Sequence, residues 1–235
     1  MSSLPISARS IPFPTSTRKG SVGTVPISPW DSLYFAGCPD LIGTPFSYAR
    51  EEEIYGEAEE AEFVYKLLDG AVRTHKILSD GRRQITGFHL PGELLGFEQQ
   101  DRHRHAAEAL TDTRMLIFRR RQIERMAACN ATVACQLWSL TARRLRDAQD
   151  HMLLLGRGSA MERLVAFLID LDLRLGATGT FVLPMSRRDI ADYLGLTIET
   201  VSRLMTQLEV DGALLRCSGR QLSLHRTHLD RLIAF

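Results

Sequence analysis

The feature that most restricts what this chain can fold into is a stretch from Arg119 to Leu155 with neither proline nor glycine. Within it, Ile123, Met126, Asn130, Val133, Leu137 and Leu140 recur at spacings of three, four, three, four and three. That is the 3.5-residue period of a coiled-coil seam. A continuous helix over 119–156 would span on the order of 50 Å at 1.5 Å per residue, long for a single domain. We therefore expect it to pair two copies of the chain. Those six residues form the expected dimer interface, with Asn130 as a polar position that fixes register. The competing reading is a helix that lays the same stripe on the domain preceding it.

Before this helix the periodicity is that of strands. Phe63-Val64-Tyr65-Lys66-Leu67-Leu68 ends at Asp69-Gly70, and Ala71-Val72-Arg73-Thr74-His75-Lys76-Ile77-Leu78 runs to Asp80-Gly81. Gln84-Ile85-Thr86-Gly87-Phe88-His89-Leu90 ends at Pro91-Gly92, and Met115-Leu116-Ile117-Phe118 is a last strand. Short strands closed by glycine turns predict a small antiparallel barrel or jelly roll over 31–118. Residues 1–30 hold Pro5, Pro12, Pro14, Pro26 and Pro29 among serines and threonines, the composition of a flexible arm.

Beyond Gly156-Arg157-Gly158 a second domain is expected over 157–235. An amphipathic helix starts at Met161, and a short strand lies within 179–184. Ser186-Arg187-Arg188-Asp189 then has the form of a capping box, with Asp in place of the usual Glu or Gln. Counted from Arg187, Ala191 is fifth, Gly195 ninth, Val201 fifteenth and Leu204 eighteenth. This is the spacing of a helix-turn-helix, which needs a small residue where the helices approach and a glycine of positive φ at the turn. It also needs apolar residues under the second helix. Thr197 is placed to cap that helix. Its outer face carries Ile198, Glu199, Ser202 and Arg203 near the end that enters a major groove. Arg203 suits guanine O6 and N7, Glu199 the cytosine amino group, and Ser202 a base edge or thymine methyl. Thr197, Thr200 and Arg187 are expected to meet phosphates. So are Arg216 and Arg220, on a turn between two short strands that reads as a wing.

The net charge of +1 gives no general attraction to nucleic acid, so any DNA footprint must be a local face. All but three of the 29 basic residues are arginine, a bias that suits bidentate contacts but that a GC-rich genome also produces.

A barrel, a long helix and a winged helix-turn-helix, in that order from about residue 35 to 235, resemble the Crp/Fnr family of bacterial regulators. The stretch Ile190-Ala191-Asp192-Tyr193-Leu194-Gly195-Leu196-Thr197-Ile198-Glu199-Thr200-Val201-Ser202-Arg203-Leu204 is the most specific part, and Glu-x-x-Ser-Arg is similar to the Fnr/FixK branch. The resemblance implies an α+β fold: an N-terminal jelly-roll barrel of the cyclic-nucleotide-binding type, a dimerisation helix over 119–156 and a C-terminal winged helix-turn-helix. It further implies a homodimer on a TTGA-type palindrome, contact with RNA polymerase, and activation of transcription. Glu199, Ser202 and Arg203 take the base-reading roles.

The effector classes of the family fit poorly. In Pro91-Gly92-Glu93-Leu94-Leu95-Gly96-Phe97, Gly96 is followed by Phe97 where the cyclic-nucleotide branch carries an acid. The phosphate position falls in Arg102-His103-Arg104-His105, without that branch's Arg-Ser/Thr-Ala. Only Cys38 precedes residue 129, whereas iron–sulfur clusters take several thiolates. We therefore expect no cofactor, no metal, and a FixK-type regulator in low-oxygen or nitrogen-fixation control that acts without a bound effector. An effector-dependent regulator with an unidentified ligand is the alternative. A cupin-type metal enzyme built on His103, His105 and Glu108 is a remoter one. Cys217, beside the wing, is a candidate redox position, and Cys129 and Cys135 are expected to be packing residues. No apolar run suits a membrane span or signal peptide, so a cytoplasmic protein is expected.

Overall fold

The computed structural model describes residues 42–229 apart from Gln99 and Ala177. The expected arm over 1–30 and Cys38 lie outside the described residues. Eight strands come first: β1 (Thr44–Tyr48), β2 (Glu53–Tyr55), β3 (Phe63–Asp69), β4 (Val72–Ile77), β5 (Arg83–His89), β6 (Leu94–Leu95), β7 (Ala106–Ala109) and β8 (Thr113–Arg119). They pair antiparallel in two four-stranded sheets, ordered β1-β8-β3-β6 and β2-β7-β4-β5.

Strand β3 explains why this domain has two apolar layers. Successive side chains on a strand point to opposite faces. Tyr65 and Leu67 accordingly enter a barrel interior with Tyr48, Ile54, Tyr55, Leu95 and Met115. Val64, one residue before Tyr65, faces the other way with Leu116 and Phe118. A strand that is apolar on both faces must be covered on both, and helices supply the outer cover.

These helices correct the expected single long one. The chain forms α1 (Arg120–Cys129) and α2 (Ala131–Arg157), broken at Asn130. Asn130 is extended (φ −131°, ψ 106°), and its side chain accepts from the backbone N–H groups of Thr132 and Val133. It is therefore the N-cap of α2, not a polar position inside a seam: a short acceptor satisfies the first-turn donors here better than a helical residue would. The rest of the expected seam also turns inward. Ile123, Val133 and Leu140 are buried against Val64, Leu94, Leu116 and Phe118, with Met126 and Leu137 packed on the same cluster. That stripe covers the protomer's own barrel, and the apolar face that α2 leaves exposed is a different one. It carries Trp138, Leu145 and Met152, which are 76%, 60% and 66% exposed.

The C-terminal domain comprises α3 (Ala160–Arg174), β9 (Thr180–Val182), α4 (Arg187–Leu194), α5 (Ile198–Val210), β10 (Leu214–Ser218), β11 (Gln221–Leu224) and α6 (Arg226–Leu229). Its sheet is ordered β10-β11-β9. It shares a core with the barrel: Ala71, Ile85, Phe88, Leu90 and Leu110 join Leu164, Phe167, Leu168, Ile190, Leu194, Val201 and Met205 in one apolar cluster. Among the described residues no helix is long and apolar enough to cross a membrane.

Candidate nucleic-acid interface

Local sequence sets the two helices at the interface. The Ser186 hydroxyl accepts from the Asp189 backbone N–H at 3.1 Å, and Asp189 Oδ2 accepts from the Ser186 backbone N–H at 2.9 Å. The shorter acid thus completes the reciprocal capping box that starts α4. At the other end Gly195 adopts φ +63°, ψ +39°, a left-handed conformation that suits glycine and turns the chain toward α5. The Thr197 hydroxyl accepts from the Thr200 backbone N–H at 3.1 Å, capping α5. Ala191, Val201, Met205 and Leu208 are buried between the helices and the sheet, and Leu204 packs partly buried on the same core.

With that face buried, the opposite one is presented to solvent. Ile198, Glu199 and Arg203 are exposed on the first turns of α5, and Ser202 is half-buried beside them. Arg187 Nη1 donates to Ser202 Oγ at 3.3 Å, so the base of α4 meets the candidate reading face. Thr197 is exposed and Thr200 half-buried. Arg216 pairs with Glu209 at the end of α5, and Arg220 donates to the Pro184 carbonyl oxygen at 3.2 Å. Both project from the β10–β11 hairpin, whose Cys217 thiol is exposed.

A family model for the Crp-like helix-turn-helix domain matches residues 162–234, and one for the cyclic nucleotide-binding domain matches residues 45–130. The chain is 41% identical to the nitrogen fixation regulation protein FixK of Azorhizobium caulinodans, covering 97% of this chain and 94% of that protein. The corresponding protein of Rhizobium meliloti is 46% identical over 73% of this chain and 76% of its own. The chain belongs to the Crp/Fnr family, as a FixK-type regulator. The solved structure of FixK2 from Bradyrhizobium japonicum superposes with a TM-score of 0.80 at 53% identity, covering 83% of this chain and 99% of that one. As a Crp/Fnr regulator the protein binds DNA, in a family that works as dimers.

The interior of the barrel that the cyclic nucleotide-binding model matches is lined by aromatic side chains of the chain itself. Tyr48, Tyr55 and Tyr65 are all buried inside it. His103, from the loop expected at the phosphate position, is buried and stacks on Tyr55 with ring centroids 3.7 Å apart. Gly96 has φ +75°, and a Cβ there would fall 2.9 Å from the Tyr65 ring, so the loop expected at the ribose position closes onto that tyrosine. The three residues of the cupin alternative do not form a metal site. His103 is committed to Tyr55, and Glu108 accepts from Arg73 Nη2 at 2.6 Å. Among the described residues no group of three or more His, Cys, Asp or Glu is arranged to hold a metal ion.

The sequence reading missed a cluster where the barrel meets α4. Asp189 Oδ1 accepts from Arg73 Nη1 and Arg83 Nη2, each at 2.7 Å. Arg83 also binds Asp192 through Nε at 3.0 Å and Nη2 at 2.8 Å, and the Gln84 amide donates to the Asp192 carbonyl oxygen at 2.8 Å. Burial alone pushes Asp189 toward its neutral form. Hydrogen bonds from Ser186 and the charges of Arg73 and Arg83 outweigh it, holding the carboxyl below its ordinary range. Since these partners are more than a hundred residues apart, no local spacing announces them.

Proposed function

We propose that the protein is a transcription activator that binds a TTGA-type palindrome as a homodimer, in low-oxygen or nitrogen-fixation control, without a small effector. The observation that carries this is the face of Ile198, Glu199, Ser202 and Arg203, turned outward at the N-terminal end of α5 by the left-handed Gly195. Arg203 and Glu199 read base edges, and Ser202 and Ile198 complete the contact. Thr197, Thr200, Arg187, Arg216 and Arg220 take phosphates, which fix position without specifying sequence. Curated relatives named for nitrogen fixation regulation support the physiological setting. A relative from Rhodopseudomonas palustris named as a transcriptional activatory protein, 44% identical, supports activation, for which contact with RNA polymerase is the proposed route.

Two copies pair along the stripe Trp138, Leu145 and Met152. These lie seven residues apart, so they share one face of α2. Leaving them exposed in water would be costly, and burying each against its counterpart contributes on the order of 1.5–3 kcal/mol per side chain. The pairing sets two copies of α5 about one DNA turn apart, roughly 34 Å. The tyrosine-filled barrel supports operation without a ligand.

The test is fluorescence anisotropy of the purified protein on a TTGAT-N4-ATCAA duplex beside a scrambled duplex at equal salt, with nothing added. Tight binding to the palindrome alone is expected. Binding that needs an added small molecule would remove the effector-free part, and equal binding to both duplexes would remove the base-reading assignment.

A further inference from the structure

An effector-free regulator must hold its DNA-reading helices in a productive orientation by internal contacts alone. The covalent link between α2 and the C-terminal domain is the dipeptide Gly158-Ser159, which has little stiffness of its own. The shared apolar core brings the barrel and the winged domain together, but burial of apolar surface is non-directional and tolerates sliding. What removes that freedom is the charged cluster on α4. Asp189 is only 4% exposed, Arg73 12% and Arg83 22%. Such buried ions are strongly disfavoured when they lose their partners, so a small rotation of α4 away from β4 and β5 is opposed whichever way it turns.

Asp189 is also the residue that closes the capping box of α4. The barrel therefore grips the first turn of the helix on which α5 is mounted. Next to the cluster, Tyr193 packs on Phe88 of β5, on Phe167 of α3 and, stacked at 4.2 Å, on His151 of α2. One ring thus touches barrel, linking helix and winged domain together.

We propose that Arg73, Arg83, Asp189 and Asp192 form an interdomain latch that fixes the angle of α5 to α2, and thereby sets the half-site spacing the dimer accepts. The four are positioning residues and do not touch DNA. The inference rests on the palindrome-binding dimer proposed above, and its test separates the two. The latch takes the place that a bound ligand would otherwise fill, because its contacts are built into the chain and need no switch.

Arg83→Gln removes the pairs to Asp192 and one of the two to Asp189, leaving Asp189 paired with Arg73. Asp192→Asn weakens the same link from the other side at a position 26% exposed, where the fold tolerates it. Wild type and both variants are titrated on palindromes whose central spacer is the optimal length, one base pair shorter and one longer. The wild type is expected to lose about tenfold or more on either change, since each base pair shifts and rotates one half-site against the other. Both variants should keep binding to the optimal duplex within a few-fold while their penalty for the wrong spacer shrinks to about two- to threefold. A loss of general stability would weaken all three duplexes alike and leave that ratio unmoved. Unchanged spacer discrimination in two folded variants would overturn the latch while leaving the function intact. A wild type that discriminates palindrome from scrambled DNA but ignores spacer length would overturn it too. No palindrome preference in the wild type would instead defeat the function reading, and the latch with it.

Discussion

Arg187 on the first turn of α4 reaches Ser202 on α5, Nη1 to Oγ at 3.3 Å. The contact joins a residue assigned to phosphate with one assigned to a base, so positioning and reading are not independent at this interface. Ser202→Ala is expected to weaken palindrome binding and also to loosen Arg187, giving a smaller salt slope than the loss of one uncharged contact would. A salt slope identical to wild type would show that Arg187 does not depend on Ser202.

Arg203→Ala should cost about 1–3 kcal/mol in affinity for the palindrome and relax selection at one base pair of each half-site. Arg220→Ala, at the wing, should weaken all sequences about equally and reduce the slope of log K against log salt by about one. Binding measured on a set of duplexes, each with one base pair changed, distinguishes these outcomes. Retained discrimination in the Arg203 variant would rule out its base-reading role.

The two apolar stripes of α2 make opposite predictions. Leu145→Glu, on the exposed stripe, should shift the protein to monomer in sedimentation and abolish tight palindrome binding, with the barrel still folded. Leu140→Ala, on the buried stripe, should lower stability by about 2–5 kcal/mol while the protein that remains folded stays dimeric. If Leu145→Glu stays dimeric, the proposed seam is wrong.

Gly195→Ala should lower stability by roughly 1–2 kcal/mol, the cost of a left-handed conformation for a residue with a Cβ. The nearest atom to that Cβ would be Arg163 Nη1 at 3.9 Å, so the cost is conformational and not steric. Urea unfolding measures it; a neutral substitution would mean that the turn relaxes to negative φ.

Acid should destabilise the fold well before the Asp189 carboxylate is protonated. Burial, together with the charges of Arg144 and Arg174, pushes His89 from 6.5 down to about 3. Between those values the unfolded chain binds a proton that the folded one does not, so stability falls as pH is lowered. The slope is up to about 1.4 kcal/mol per pH unit for this one group. Asp189, held below its ordinary 3.8, adds a loss in the same direction only as pH drops from about that ordinary value to its lowered one. His89→Gln should flatten the dependence of urea midpoints between pH 6.5 and 5 while leaving the loss below pH 4 in place. An equally steep dependence in the variant would move the effect to another group.

Features carried by short sequence spacing were legible without a structure. The capping residues Ser186 and Thr197, the glycine of positive φ at 195, and the exposed face of α5 all follow from contacts within a turn or two of helix. The strands β3, β4, β5 and β8 follow from alternation between glycine turns in the same way. Asn130 was misread because a polar residue on a heptad position and a helix N-cap look alike in one dimension. What separates them is whether the helix continues, and here it stops at Asn130, whose extended backbone lets its side chain cap α2.

Residues 119–155 by themselves determined that helices form there and that an apolar face must find cover. Two such faces overlap along α2, one through Val133, Leu137 and Leu140 and the other through Trp138, Leu145 and Met152. Adjacent residues on a helix differ by about 100° in direction, and both stripes repeat at nearly the same interval. Only the tertiary structure decided which of them the barrel takes, because the barrel's outer surface at Val64, Leu116 and Phe118 is assembled from strands some fifty residues apart. The same reason hides the pairing of Arg73 and Arg83 with Asp189. A charge carries no mark of its partner until the chain has folded and the low-dielectric interface between the domains makes leaving it unpaired too costly.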